Sequence, residues 1–132
     1  MSEENVELAR RGFDAWNRGD YDAWIEMFDS ECEFSPLRAQ LEGRPYRGHD
    51  GLRQFIRDTT DEWEDIRFVL NEIRDTGDQL VGLVHFEGRG RISRAELHIP
   101  IGVVATVREG KIAEARMYSD PAEALEAAGL RE

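Results

Sequence analysis

The apolar residues of this 132-residue chain change their period once, near residue 64, and that switch constrains the fold more than any other feature. Before it they recur at helical spacing; after it they alternate, as in half-buried strands. Val6, Ala9, Phe13 and Trp16 form the inner stripe of a first helix, with Glu3, Glu4 and Glu7 near its positive N-terminal end. Gly19 stops that helix and Asp20 caps a second, striped by Tyr21, Trp24, Ile25 and Phe28. Cys32, Phe34 and Pro36 alternate with Glu33 and Ser35 as a short strand. Residues 37–48, with Gly43, Pro45 and Gly48, read as an irregular or short-strand loop. His49 or Asp50 then caps a third helix, whose inner face runs through Leu52, Phe55 and Ile56 towards Trp63.

Beyond the switch, Ile66, Phe68 and Leu70 alternate with polar neighbours, and DTGD at Asp75–Asp78 is a turn. A long strand carries Leu80, Val84 and Phe86, turns over within residues 88–94 and returns from about Ala95 to Val107. A last strand spans Lys111 to Tyr118, and Asp120-Pro121 opens a C-terminal helical turn ending at Gly129. A four-residue tip, Gly90 to Ser93, sets Phe86 opposite Leu97 and Val84 opposite Ile99 on the inner face. It sets His85 opposite His98 and Glu87 opposite Glu96 on the outer one. For the next hairpin, a three-residue turn (Arg108-Glu109-Gly110) pairs Ala105 with Ala113, Val103 with Ala115 and Ile101 with Met117. A two-residue turn would carry Glu114 and Arg116 to the core face, so the longer one is expected.

The chain is 40% hydrophobic and 34% charged, long enough for one core, and divided by no repeat or linker, so residues 1–132 are read as a single domain. Ile99–Val107, the longest mostly apolar stretch, falls far short of the ~20 residues a membrane helix needs, and no membrane partner is expected. The start MSEEN shows no targeting peptide, and the single cysteine, Cys32, forms neither an intramolecular disulfide nor a cysteine-rich metal site; a cytoplasmic location is expected. Net charge is −11, and residues 1–33 hold ten acids against three bases while residues 67–99 hold five of each. Such an acidic helical surface repels phosphate backbones, which argues against nucleic-acid binding.

Aromatic-rich helices on a curved antiparallel sheet make an α+β cone. In the order α-α-β-α-β-β-β-β-α, the segment FDAWNRGDYDAWIEMF, the run YRGHDGLRQF and the ending VREGKIAEARMYSDPAEAL, the chain resembles the SnoaL-like branch of the nuclear transport factor 2-like (ketosteroid isomerase-like, cystatin-like) superfamily over essentially its whole length. The resemblance implies a strongly curved antiparallel sheet, three N-terminal helices on its concave face and a pocket between them. It marks the fold and not the reaction, because the superfamily holds isomerases, cyclases, dehydratases, epoxide hydrolases and non-catalytic binders. From the pattern, Phe13, Trp16, Trp24, Phe28, Phe34, Phe55, Phe86, Val103 and Met117 should line the pocket, or else simply fill a core. Polar reach comes from residues 37–48: Arg38 to hold an anionic or enolate oxygen, Tyr46 to donate a hydrogen bond, and Gln40.

Ketosteroid isomerase itself works with an aspartate base, a tyrosine and a protonated aspartate. The corresponding positions here are Ser35 or Pro36, Gly12, and Gly102 or Val103, so that mechanism is excluded. His85 and His98, with Glu87 and Glu96, fall on the convex face away from the pocket and are read as solvent- or partner-facing rather than as metal ligands. Cys32 is read as a buried, inert thiol, and GRGR at 88–91 lacks the helix that a phosphate loop needs. Without a pair of inward carboxylates, no catalytic residue is assigned and no metal or cofactor is expected. Two readings of function stand: a pocket that binds a small hydrophobic or aromatic molecule, or a SnoaL-like isomerase, cyclase or dehydratase of polyketide- or terpene-like substrates. A purely structural or interaction role is a third. Leu83, His85, Pro100, Val104 and Thr106 on the convex face make a patch too apolar for plain surface, and a homodimer through that face is expected, as the resemblance also implies.

Overall fold

A computed structural model describes residues 2–130. Its elements run α1 (Ser2–Asn17), α2 (Tyr21–Glu26), β1 (Phe28–Ser35), α3 (Leu37–Glu42), β2 (Tyr46–Arg47), α4 (Gly48–Glu62), β3 (Trp63–Asp75), β4 (Gln79–Gly90), β5 (Glu96–Arg108), β6 (Lys111–Tyr118) and α5 (Pro121–Ala127). The strands form one curved, non-closed sheet in the order β2-β1-β6-β5-β4-β3. Its pairings are antiparallel except one: β1 lies parallel to β6, because α4 and the β3–β6 meander return the chain alongside β1 in the same direction. The sheet is therefore mixed and not wholly antiparallel as expected. Register shifts between Glu64 and Arg67 and between Leu70 and Glu72 bend β3, and each extra residue adds local twist.

The concave face meets α1, α2 and α4. Phe68, Val84, Ile101 and Ala115 from the strands pack with Leu8, Trp16, Ile25, Leu52 and Phe55 from the helices. Asn17, the last residue of α1, fastens the helix to the sheet: its amide donates to the Phe68 carbonyl and accepts from the Phe68 N–H, both at 2.8 Å. Asp20 caps α2 as expected, accepting from Ala23 N–H at 3.2 Å, after Gly19 has taken φ 79°.

Local corrections have identifiable causes. Residues 37–48 are not a loop: LRAQLE holds good helix formers, buries Ala39 and stops at left-handed Gly43, and Tyr46–Arg47 then pairs with β1 as an edge strand. Four helices, not three, thus precede β3. Neither His49 nor Asp50 caps α4; extended Arg47 holds the cap position, while the His49 ring bonds the Phe28 carbonyl at 2.9 Å and Asp50 pairs with Arg53. Trp63 opens β3 and lies edge-on to Phe86, 5.8 Å between ring centres.

The β4–β5 tip has four residues, but they are Arg91–Arg94, since Gly90 N–H donates to Ala95 O at 2.9 Å and Arg94 takes φ 63°. Displacing a four-residue tip by one position moves the register by two. Every side chain keeps its face and every partner changes. Phe86 faces Ile99, Val84 faces Ile101, His85 faces Pro100, and Glu87 faces His98. At the next hairpin the three-residue turn is wrong: Glu109 and Gly110, at φ 52° and 77°, form a two-residue turn of the mirror-image type. A bulge past Thr106 then restores apolar pairing, with Ala105 opposite Ala115 and Val103 opposite Met117, and leaves Glu114 and Arg116 outward.

On the convex face α5 covers Val81 and Val104 with Ala124 and Leu125. Gly102 permits this approach, since a Cβ there would lie 2.4 Å from that of Ala124. Val104 therefore belongs to a second core and not to an open patch. His85 and Pro100 remain exposed, and Leu83 and Thr106 half-buried.

Candidate functional site

Two cavities lie between the helices and the concave sheet. The inner one, about 90 Å³, is walled by α1, α2, β1, α4 and the inner faces of the strands. Phe13, Trp16, Trp24, Phe28, Phe34, Phe55, Val103 and Met117 all line it. The outer one, about 260 Å³, takes Arg38, Tyr46 and Phe86, and shares Phe55, Phe68 and Met117 with the inner. Pattern reasoning missed Met27, Ile73 and Ile112 of the inner wall, and Asp58, Glu62 and Trp63 of the outer. A signal for the carboxylates existed: Phe55, Asp58, Thr59 and Glu62 recur at helical spacing and so continue the inner stripe of α4.

No side chain on the inner wall titrates in the ordinary range. Trp16 sits at its centre, ringed by Tyr21, Trp24, Phe55 and Phe68 at centroid separations of 4.9, 5.0, 5.6 and 5.5 Å. The pairs with Tyr21, Trp24 and Phe68 are edge-to-face, an arrangement that adds roughly 0.5–1.5 kcal/mol each beyond area burial. The residue is only 3% exposed, yet its indole N–H has no hydrogen-bond partner among the described residues. Gly12, buried within α1, contributes a stretch of wall without a side chain.

The outer rim is polar but already paired. Tyr46 OH donates to Asp58 Oδ2 at 2.7 Å, Gln54 donates to Asp58 Oδ1 at 2.7 Å, and Arg38 donates to Glu62 Oε1. Burial, reinforced by the Asp58 carboxylate, pushes the Tyr46 phenol up to about 12, while the Tyr46 hydrogen bond holds Asp58 below the usual carboxylate range. A phenol held that high is no base at neutral pH, and its proton is committed to Asp58. Acid–base work here would first have to break the Tyr46–Asp58 and Arg38–Glu62 pairs. Gln40 does not line either cavity; its amide donates to the Ser35 and Met117 carbonyls at 2.9 and 2.7 Å and ties α3 to the sheet.

The other candidates lie elsewhere. Burial raises the Cys32 thiol and leaves it inert. His85 bonds Asn71 at 3.1 Å, and His98 stands 3.9 Å from Glu87 and from Glu96 on the convex side. Among the described residues no three His, Cys, Asp or Glu side chains cluster to hold a metal, and no helix is long and apolar enough to cross a membrane.

A bent sheet wrapped round a helical layer defines the nuclear transport factor 2-like, ketosteroid isomerase-like fold. Residues 9–115 match the SnoaL-like domain, and the chain belongs to that family. An NTF2-like protein of unknown function from Burkholderia pseudomallei superposes with a TM-score of 0.80 at 17% identity, over 93% of this chain and 95% of that one. TerC, co-crystallised with polyporic acid, gives 0.79 at 17% identity over 93% and 96%. A candidate SnoaL-like polyketide cyclase from Jannaschia gives 0.77 at 19% identity over 88% and 85%. At such identities the likeness speaks for the fold alone. No curated protein matches the sequence.

Proposed function

We propose that this SnoaL-like protein binds a small hydrophobic or aromatic molecule in its inner cavity and performs no chemistry on it. One observation carries the reading: the inner wall is almost wholly apolar and carries no titratable side chain. Met27 and Met117, soft and unbranched, are walls that can yield to ligands of different outline. The test is native mass spectrometry of the protein purified without denaturant, followed by extraction and identification of what it carries. An apolar compound at near-stoichiometric occupancy supports the reading. A protein that carries nothing, and whose tryptophan fluorescence is unmoved by millimolar cyclic hydrocarbons, refutes it.

A second reading, an isomerase, cyclase or dehydratase of polyketide- or terpene-like substrates, draws on one feature: Arg38, Tyr46, Asp58 and Glu62 gather at the outer cavity. The naming of the Jannaschia neighbour points the same way. Turnover of a co-purified compound that is lost in Asp58→Asn would favour it. The reading also takes the protein to be cytoplasmic and to pair through the convex face beside α5, where His85 and Pro100 are exposed. Sedimentation at tens of micromolar tests the dimer, and Pro100→Arg should give folded monomers.

A further inference from the structure

The inner and outer cavities share a wall, and one side chain in that wall is free to move. We infer that the two cavities are subsites of one ligand site, divided by the Met117 side chain, which sets the length of the molecule taken. That molecule is an aromatic or cyclic hydrocarbon group bearing a short chain with a neutral polar end. Its ring occupies the inner subsite and its polar end reaches the outer rim. The inference rests on the inner cavity being a ligand site.

Among the described residues Phe55, Phe68 and Met117 alone line both cavities, so these three separate them. The two phenylalanines are buried and held by other rings. Phe55 packs against Phe34 and Tyr46, at 4.8 and 5.5 Å between ring centres, and Phe68 against Trp16 and Phe86, at 5.5 and 5.2 Å. Met117 is half-buried and points inward, on the same face of β6 as buried Ala115 and opposite to exposed Arg116. Its backbone is pinned by the ladder to Val103 and by the Gln40 amide, which donates to its carbonyl at 2.7 Å. Its unbranched side chain keeps its torsional freedom. Turning it aside opens no new void, since about 260 Å³ already lies on its outer side. A ring needs that movement: the inner cavity, about 90 Å³, is smaller than the ~150 Å³ cavity that admits benzene. A substituent that passes Met117 enters apolar space beside Trp63, Phe86 and Ile99. At the rim a neutral end fits best. Glu62 and Glu42 hold Arg38, and Tyr46 and Gln54 hold Asp58, so a charged end would have to displace a partner. The Tyr46 oxygen, which donates to Asp58, can still accept from a hydroxyl.

The test uses the full chain, labelled with ¹³C at the methionine methyls and ¹⁵N at the tryptophan indoles, and three probes: benzene, 4-phenyl-1-butanol and 4-phenylbutyrate. Met27 reports on the inner cavity, Trp63 on the outer and Met117 on the wall between them, and single substitutions assign their signals. 4-Phenyl-1-butanol should shift all three with one affinity and one molecule per chain. Benzene should compete with it, and 4-phenylbutyrate should bind more weakly. Met117→Phe, which blocks the passage, should cut the affinity of 4-phenyl-1-butanol relative to benzene about tenfold, the worth of roughly two methylenes no longer buried. Met117→Ala should keep or raise that ratio. Should either variant fail to fold, the wild-type titrations decide alone. Shifts at Met27 without Trp63, or two molecules bound independently, overturn the joined site and leave the inner-cavity reading intact. A ratio that stays within about twofold in Met117→Phe overturns the role of Met117. Binding of 4-phenylbutyrate as tight as that of the alcohol overturns the neutral end. Shifts at Trp63 without Met27, or no binding of any probe at millimolar concentration, overturn both the inference and the reading beneath it.

Discussion

Gly12 offers a perturbation whose effects on stability and on binding should have opposite signs. It sits inside α1 with ordinary helical φ, buried, on the wall of the inner cavity. A Cβ built there meets nothing nearer than Met27 Cγ at 3.9 Å, an ordinary contact. Glycine within a helix costs roughly 0.5–1 kcal/mol relative to alanine, mostly through the entropy of the unfolded chain. The added methyl is also buried, which contributes up to about 0.8 kcal/mol. Gly12→Ala should therefore stabilise the protein by about 1–1.5 kcal/mol, a rise in Tm of roughly 5 °C for a chain this size. The same methyl takes space from the cavity, so affinity for a ring-sized ligand should fall. Urea unfolding without ligand measures the first effect, and titration of a small cyclic hydrocarbon into the folded variant measures the second. A destabilised variant would refute the geometry of α1. A stabilised variant with unchanged affinity would refute the placement of the ligand beside Gly12.

Gly102→Ala should cost about 1–3 kcal/mol in urea unfolding, because its Cβ would lie 2.4 Å from that of Ala124 and α5 must shift. The Gly102→Ala/Ala124→Gly double variant should be more stable than the two separate losses predict, and strict additivity would disprove the contact. Glu109→Asn should stabilise by a few tenths of a kcal/mol up to about 1, since Glu109 at φ 52° precedes Gly110 in a turn that favours Asn-Gly; a loss of stability would count against that turn. For Tyr46 the folded phenol sits at about 12, above the ordinary value near 10. Its contribution is complete below pH 10 and should be lost as pH rises from about 10 to 12. Tyr46→Phe should flatten that part of the stability curve, and by returning the Asp58 carboxyl towards its ordinary range should also shrink the stability that Asp58 loses on acidification. Identical pH–stability profiles for the two proteins would rule the pair out.

Much of the fold was legible because hydrophobic period survives errors of register. The β4–β5 tip was misplaced by one residue, yet Phe86, Val84, Ile101 and Ile99 still share the concave face, since a shift of two preserves alternation. The β5–β6 hairpin shows the reverse. Its faces came out right for Ala105 and Ala115 although the turn was wrong, because a bulge, which leaves no residue signature here, absorbed the odd residue. The aromatic positions of the cavity wall could be read because each lies on the apolar stripe of its own element. Asp58 and Glu62 share that face by helical spacing but are polar, so the apolar stripe does not pick them out; their pairing with Arg38 depends on the short helix α3, which residues 37–48, rich in Gly and Pro, do not announce. The covering of Val104 by α5 was hidden for a similar reason: alternation assigns a residue to a face but cannot say which element later packs on it.

Three features that each weaken the fold lie at or beside the inner cavity. A pocket of about 90 Å³ leaves its apolar walls short of packing partners that a filled core would supply. An unpartnered buried donor, here Trp16 Nε1, costs roughly 1–3 kcal/mol. Glycine at position 12 of the α1 wall costs roughly 0.5–1 kcal/mol against alanine. Against a net stability of order 5–15 kcal/mol these are large concessions, and each could be removed by an ordinary substitution. At helix ends away from the cavity local propensity is obeyed: Asp20 and Asp120 cap their helices, and left-handed Gly43 ends α3. Departures from such consistency that fall together at one place mark a site whose shape answers to something besides folding. The apolar ligand proposed above would fill the pocket and use the space that Gly12 leaves.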